Sequence, residues 1–217
     1  MYPQGNLFIP ASHGKLEAIL KGPTGEQTGV ALVCHPHPLG QGTMHNKVVY
    51  RAAAGLLDAR LTTLRFNFRG VGLSTGDHDD GRGEKQDVID CLDYLSENYP
   101  NQPITLAGFS FGSRVGTEVG MTDERVVRLI SIGTPVDKYN DYNYLGNLTK
   151  PILFIHGDSD EFGKLENVEK LVEKVARNTD AELISFENCG HFFDHHLNEL
   201  REAVKNWTLK KIEQETN

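Results

Sequence analysis

Two strings in this chain set a serine between glycines at the spacing of a tight strand-to-helix turn: Gly72-Leu73-Ser74-Thr75-Gly76 and Gly108-Phe109-Ser110-Phe111-Gly112. A serine hydroxyl is a weak nucleophile at neutral pH and needs a base within hydrogen-bond reach, itself oriented by a third group. What surrounds each string separates the two. Ser110 follows PITLAGF, which has the pattern of a buried strand, and precedes FGSRVGTEVG, a short helix of small residues. Such a turn strains the serine backbone, and glycines two residues to either side let strand and helix cross closely. The following helix also points its free N–H groups at the reaction site, so the N–H of Phe111 can stabilise an oxyanion. Ser74 follows FRGVG and leads into GDHDDGRG, a polar loop in which no helix is expected to start. Ser74 is therefore expected to be a loop residue.

A base and its orienting acid belong on loops at the C-terminal ends of strands. Residues 152–155 have the pattern of a buried strand that ends in His156-Gly157-Asp158-Ser159-Asp160-Glu161, so three acids compete for the role. Residues 183–186 end in Glu187-Asn188-Cys189-Gly190-His191-Phe192-Phe193. There Gly190 is expected to turn the chain so that His191 points back over the sheet.

The elements that must carry these groups follow from hydrophobic periodicity. Short apolar or β-branched runs at 30–34, 61–68, 104–107, 126–132, 152–156 and 183–186 are mostly apolar on both faces, as parallel strands covered by helices are. Between them lie helical stripes: Val88, Ile89, Leu92 and Leu95, closed by Pro100; Leu165, Val168, Leu171, Val172 and Val175; and Leu197, Leu200, Val204 and Trp207. Residues 46–60, rich in Ala and Leu, make a further helix. Segments 7–10 and 15–21 suggest an antiparallel hairpin at the sheet edge. The alternation predicts an α/β fold with a doubly wound, mostly parallel sheet, in a single domain over 1–217. Residues 134–150, which carry Tyr139, Tyr142 and Tyr144, are too few for a cap domain, so an open site and small acyl substrates are expected.

Together the GFSFG turn, the HGDSDEFG strand end and the CGHFF loop resemble the three triad segments of the α/β-hydrolase superfamily, in the order serine, acid, histidine. Cys34-His35-Pro36-His37-Pro38 with GQGTMHNK, and FNFRGVGLSTG, resemble a small lidless bacterial subgroup of dienelactone-hydrolase-like serine hydrolases. The likeness covers nearly the whole chain. It implies that the acid is the last residue of the HGxxD string, Asp160, with Asp158 second and Glu161 behind it. It also implies that His35-Pro36-His37 takes the place of the oxyanion loop, with the N–H of His37 as second donor, since Pro36 and Pro38 have none. Leu39 is the alternative. The activity implied is that of a carboxylesterase-like serine hydrolase; a peptidase or thioesterase with the same triad, or a non-catalytic binding protein on this fold, are the rivals.

Other classes fit poorly. A net charge of -8 argues against a nucleic-acid or anionic-membrane surface. The opening segment lacks a charged stretch followed by an apolar one, and no apolar run approaches the roughly 20 residues that span a bilayer, so a cytoplasmic protein is expected. Gly70 and Gly72 begin a dinucleotide fingerprint whose third position is Thr75. No cofactor and no metal are expected: His35 and His37 lack a third ligand nearby. Cys34 and Cys91 are expected to be buried thiols, His45 to help start the next helix, and His195 and His196 to lie on the surface. His78 with Asp79 and Asp80 is expected to form a solvated acidic turn, and Arg69 to make a backbone or loop contact rather than bind substrate.

Overall fold

The structure, a computed structural model, describes residues 6–139 and 141–216. Among the described residues eight strands form one sheet in the order β1-β2-β4-β3-β5-β6-β7-β8. They are β1 (Asn6–Ala11), β2 (Gly14–Lys21), β3 (Gly29–Cys34), β4 (Leu61–Phe66), β5 (Ile104–Phe109), β6 (Val126–Ile132), β7 (Ile152–Gly157) and β8 (Ala181–Phe186). β1 and β2 pair antiparallel at the edge, as the opening pattern suggested, and β2 meets β4 antiparallel; the pairings from β4 through β8 are parallel.

Every residue of β3, β5 and β7 is buried, because helices cover both faces of these strands. On one face α2 (Arg82–Asn98), α3 (Phe111–Gly120) and α5 (Leu165–Val175) set Val88, Leu92, Val115 and Val168 against Leu32, Leu106 and Phe154. On the other, α1 (Lys47–Asp58) and α6 (Leu197–Thr216) set Ala52, Leu56, Val204 and Trp207 against Val33, Ala107 and Ile155. The alternation of Leu106 and Ala107 between the two layers is the period of two expected of a strand.

From β3 the chain passes through α1 to β4 on one side, then through α2 to β5 on the other. That reversal opens a crevice at the C-terminal ends of β3 and β5, where open α/β sheets place their sites. Among the described residues between β6 and β7 lie only the short helix α4 (Val136–Tyr139) and a 3-10 turn over Tyr142–Asn147. No cap domain covers the crevice. No helix among the described residues is long and apolar enough to cross a membrane.

Three local expectations are corrected. The run at 61–68 leaves the ladder after Phe66, because the N–H of Asn67 donates to the Glu17 carbonyl and that of Phe68 to His35 Nε2, 2.9 Å away. Helix α2 does start inside GDHDDGRG, at Arg82. Gly81 adopts φ +90°, and the Glu84 carboxylate accepts the N–H groups of Gly81 (2.8 Å) and Asp79 (3.0 Å), a cap that outweighs the loop-like composition. At α1 it is Asn46, not His45, that caps the helix, its side chain accepting the N–H of Val48 at 2.9 Å.

Candidate active site

Ser110 sits between β5 and α3 at φ +54°, ψ -120°, a conformation that costs a non-glycine residue about 1–3 kcal/mol. Neighbouring bonds hold it there. Its N–H donates to the Ile132 carbonyl on β6 (2.9 Å), and its carbonyl accepts from the N–H groups of Ser113 and Arg114 and from Ser113 Oγ. The flanking glycines are required by contact: a Cβ on Gly108 would lie 2.2 Å from the Gly112 carbonyl oxygen, and one on Gly112 2.5 Å from the carbonyl oxygens of Cys34 and His35.

His191 follows β8. Its Nε2 lies 2.9 Å from Ser110 Oγ, and its Nδ1 lies 2.7 Å from Oδ2 of Asp160. With Nδ1–H donating to the carboxylate, Nε2 is free to accept the serine proton. Asp160 is 4% exposed, and its other oxygen accepts the N–H of Phe162 at 2.8 Å. Phe109 and Phe162 pack against the imidazole, with centroids 4.9 and 4.6 Å away. Ser110, His191 and Asp160 thus form one hydrogen-bonded series, contributed by three loops at one rim of the sheet.

Asp158, the second acid considered, faces away from the imidazole. Its carboxylate accepts the N–H groups of Asn188 (3.0 Å) and Cys189 (3.1 Å) and the Ser159 hydroxyl (2.8 Å). Those bonds hold its pKa below the usual carboxylate value and tie the acid loop to the histidine loop. The turn that aims His191 is made by Asn188, in the left-handed region at φ +53°, and not by Gly190, which lacks a positive φ and whose Cβ would meet nothing nearer than the Ser159 carbonyl oxygen at 4.0 Å. Asparagine tolerates that region better than most side chains, and the Asp158 bond to its N–H holds the turn.

The loop after β3 lines the other side of the crevice. His35 is fully buried; its Nδ1 donates to the Pro36 carbonyl (2.6 Å) while Nε2 accepts the N–H of Phe68. Both nitrogens are used by the backbone, so His35 shapes the loop, and burial lowers its pKa to about 3. The N–H of Leu39 donates to His37 Nδ1 (3.2 Å), which occupies the alternative oxyanion donor. The N–H groups of Phe111 and His37 donate to no protein acceptor among the described residues.

Ser74 is buried and structural: its hydroxyl accepts the N–H of Glu17 (2.9 Å) and donates to the Asn67 carbonyl (2.7 Å). Arg69 makes a multidentate ion pair with buried Asp87. The expected solvated turn at His78 fails, while His196 stays partly exposed. The His78 side chain is 10% exposed, 2.7 Å from Glu84, and its ring lies 4.9 Å from that of His37. His196 stacks flat on Phe186 at 5.3 Å, whereas His195 is exposed. Cys34, Cys91 and Cys189 are all buried free thiols. His156, not singled out from sequence, donates from Nε2 to the Gly163 carbonyl (2.6 Å) beside Asp160, and burial holds its pKa below the usual value. Its place as the last side chain before the HGxxD glycine was the only signal available.

A strained serine at a strand-to-helix turn, over a sheet that reverses at that point, defines the class. A family model described as an α/β-hydrolase domain matches residues 30–213, and the chain belongs to that family. Among solved structures it is similar to an α/β serine hydrolase homologue from Coxiella burnetii, at 37% identity and TM-score 0.86 over 95% of this chain and 98% of that one. It is likewise similar to an α/β serine hydrolase without lid from Xanthomonas campestris, at 31% identity and TM-score 0.86 over 97% and 96% of the two chains. A protein from Rickettsia prowazekii is 33% identical over 210 residues, 94% of this chain and 88% of that protein. Within the family, the chain falls among the small lidless hydrolases.

Proposed function

We propose that this chain is a carboxylesterase-like serine hydrolase that cleaves small ester-like acyl substrates through an acyl-enzyme. The observation that carries the proposal is the pair of bonds in series, 2.9 Å from Ser110 to His191 and 2.7 Å from His191 to Asp160. His191 takes the Ser110 proton as Oγ bonds to the substrate carbonyl carbon. The N–H groups of Phe111 and His37 receive the negative charge that develops on the carbonyl oxygen. The carbon–oxygen bond to the leaving alcohol then breaks as His191 returns the proton to that alcohol. Water attacks the acyl-enzyme by the same route in reverse, restoring Ser110 and releasing the acid. Asp160 keeps the imidazole in the accepting tautomer and stabilises the imidazolium. The absence of a cap favours short or flexible acyl groups over long lipid chains.

The test is labelling by a fluorophosphonate probe, followed by kinetics on short p-nitrophenyl esters with thioester and amide counterparts. Wild type is expected to label at Ser110 and Ser110→Ala to lose labelling, with a fall in kcat of about a thousandfold or more. A Ser110→Ala protein with undiminished activity would overturn the assignment. Thioester or amide turnover faster than ester turnover would move the substrate class.

A further inference from the structure

The two backbone donors beside Ser110 sit on separate parts of the chain, His37 in the loop after β3 and Phe111 in the first turn of α3. Two donors aimed at one developing charge act together only while their spacing holds, because such stabilisation depends on groups already in place. Among the described residues the hydrogen bonds of His37 run within its own loop. Its carbonyl accepts the N–H groups of Gly40 and Gly42, both at 3.0 Å, and its Nδ1 accepts that of Leu39. None joins it to α3. Ring packing does: the His37 and Phe111 rings lie 4.9 Å apart, and the His78 ring meets both, at 4.9 and 5.8 Å.

His78 reaches this three-ring cluster from the segment between β4 and α2, and acyl transfer gives it no proton to move. Carboxylates face both ring nitrogens, Glu84 at 2.7 Å from Nδ1 and Asp80 at 3.3 Å from Nε2. Glu84 is fully buried and is itself fixed, since it accepts the N–H groups of Gly81 and Asp79 at the start of α2. The His78 ring is thus anchored to the first turn of a helix and packs on the two residues that carry the oxyanion donors.

We propose that His78 is a positioning residue for the oxyanion site: its ring wedges against those of His37 and Phe111 and fixes the spacing of their N–H groups. This rests on Ser110 being the nucleophile and on those two N–H groups receiving the charge. Aromatic rings in contact prefer a limited set of tilts and separations. The three tilts here are 49°, 51° and 57°, and each ring touches the other two, so movement of one is resisted by both neighbours. Donor spacing matters most in the transition state, where the carbonyl oxygen carries charge, so its loss lowers kcat and kcat/KM together. Removing a donor outright costs about a hundred- to thousandfold, and a donor kept but loosened is expected to cost about tenfold.

The experiment measures p-nitrophenyl acetate hydrolysis in wild type, His78→Ala, His78→Phe, His37→Ala and the double variant His78→Ala/His37→Ala, with thermal unfolding and fluorophosphonate labelling of each. His37→Ala keeps the backbone N–H and removes the ring, so it tests the same contact if His78→Ala fails to fold. The expected result is a fall in kcat of about tenfold in either alanine variant at unchanged KM, with no further loss in the double variant. His78→Phe restores a ring without its carboxylate contacts and is expected to recover kcat to within about threefold of wild type. With Ser110 still labelled, full kcat in folded His78→Ala, a loss confined to KM, or losses that multiply in the double variant would each overturn the positioning role. No labelling of wild type would overturn the hydrolase proposal and the positioning role with it.

Discussion

Asp160→Asn replaces one oxygen by an amide nitrogen and leaves the shape of the series intact. In the native site one carboxylate oxygen accepts the N–H of Phe162 (2.8 Å) and the other faces Nδ1 of His191 (2.7 Å). The single carbonyl of asparagine can serve only one of them. If it stays with Phe162, the amide N–H₂ faces Nδ1, the imidazole proton moves to Nε2, and Nε2 can no longer accept from Ser110. If the amide flips, two donors meet in a site where Asp160 is only 4% exposed. An unsatisfied buried donor costs about 1–3 kcal/mol, and the lost bond to a charged partner costs about 1.5–3 kcal/mol more. Together these correspond to a fall in kcat of about 10²–10⁴ at roughly 1.4 kcal/mol per decade. The assay is steady-state hydrolysis of p-nitrophenyl acetate, with thermal unfolding to verify the fold. Asp158→Asn is the control: its carboxylate bonds the N–H groups of Asn188 and Cys189 and the Ser159 hydroxyl but not His191, and one amide oxygen can still accept there, so its expected loss is under about tenfold. An Asp160→Asn enzyme within tenfold of wild type, or an Asp158→Asn enzyme impaired as severely, would refute the argument.

Ser74→Ala should lower unfolding stability by about 1–3 kcal/mol, since it strands the Glu17 N–H and the Asn67 carbonyl, while probe labelling at Ser110 persists; urea unfolding and labelling measure the two effects, and loss of labelling in a folded Ser74→Ala protein would contradict this. Gly112→Ala should cost about 3 kcal/mol or abolish soluble expression, because its Cβ would press on two backbone oxygens that cannot yield; a thermal midpoint equal to wild type would contradict the close crossing. Stability should also fall between pH 7 and pH 5. His35 binds a proton near pH 6.5 when unfolded but only near pH 3 when folded, so the unfolded chain holds more protons throughout that window. Below pH 6.5 this approaches a loss of about 1.4 kcal/mol per pH unit from His35, in the same direction as His37 and His156. Urea unfolding at the two pH values measures it, and equal or greater stability at pH 5 would show that His35 is not buried neutral.

What was legible in the sequence was local. The GFSFG turn could be separated from its decoy because its strand, serine and helix are contiguous, and contiguous residues carry their own steric requirements. Gly108 and Gly112 were identifiable for the same reason. The turn before His191 was misassigned to Gly190 because glycine is the usual left-handed residue, and nothing nearby in sequence disclosed that Asp158, 30 residues upstream, would hold Asn188 there instead. His78 was misjudged in the same way: its DHDD setting suggests solvent, but the partner beside it, Glu84, sits in the first turn of a helix the composition argues against.

The chain by itself determined its class of fold, the strand and helix order, the elbow at Ser110 and the pairing of a histidine loop with an acid loop, because hydrophobic period and turn chemistry are written in consecutive residues. Tertiary structure decided which acid meets the imidazole, which backbone donors stay unpaired beside Ser110, and where the His78 ring stands. It also decided the fate of Arg128, buried in β6, whose Nε donates to Thr105 on the next strand and whose Nη1 donates to Glu215, 87 residues away near the end of α6. Each of these depends on which side chains from separate strands arrive at one rim or one face, and sheet order, not sequence distance, sets that.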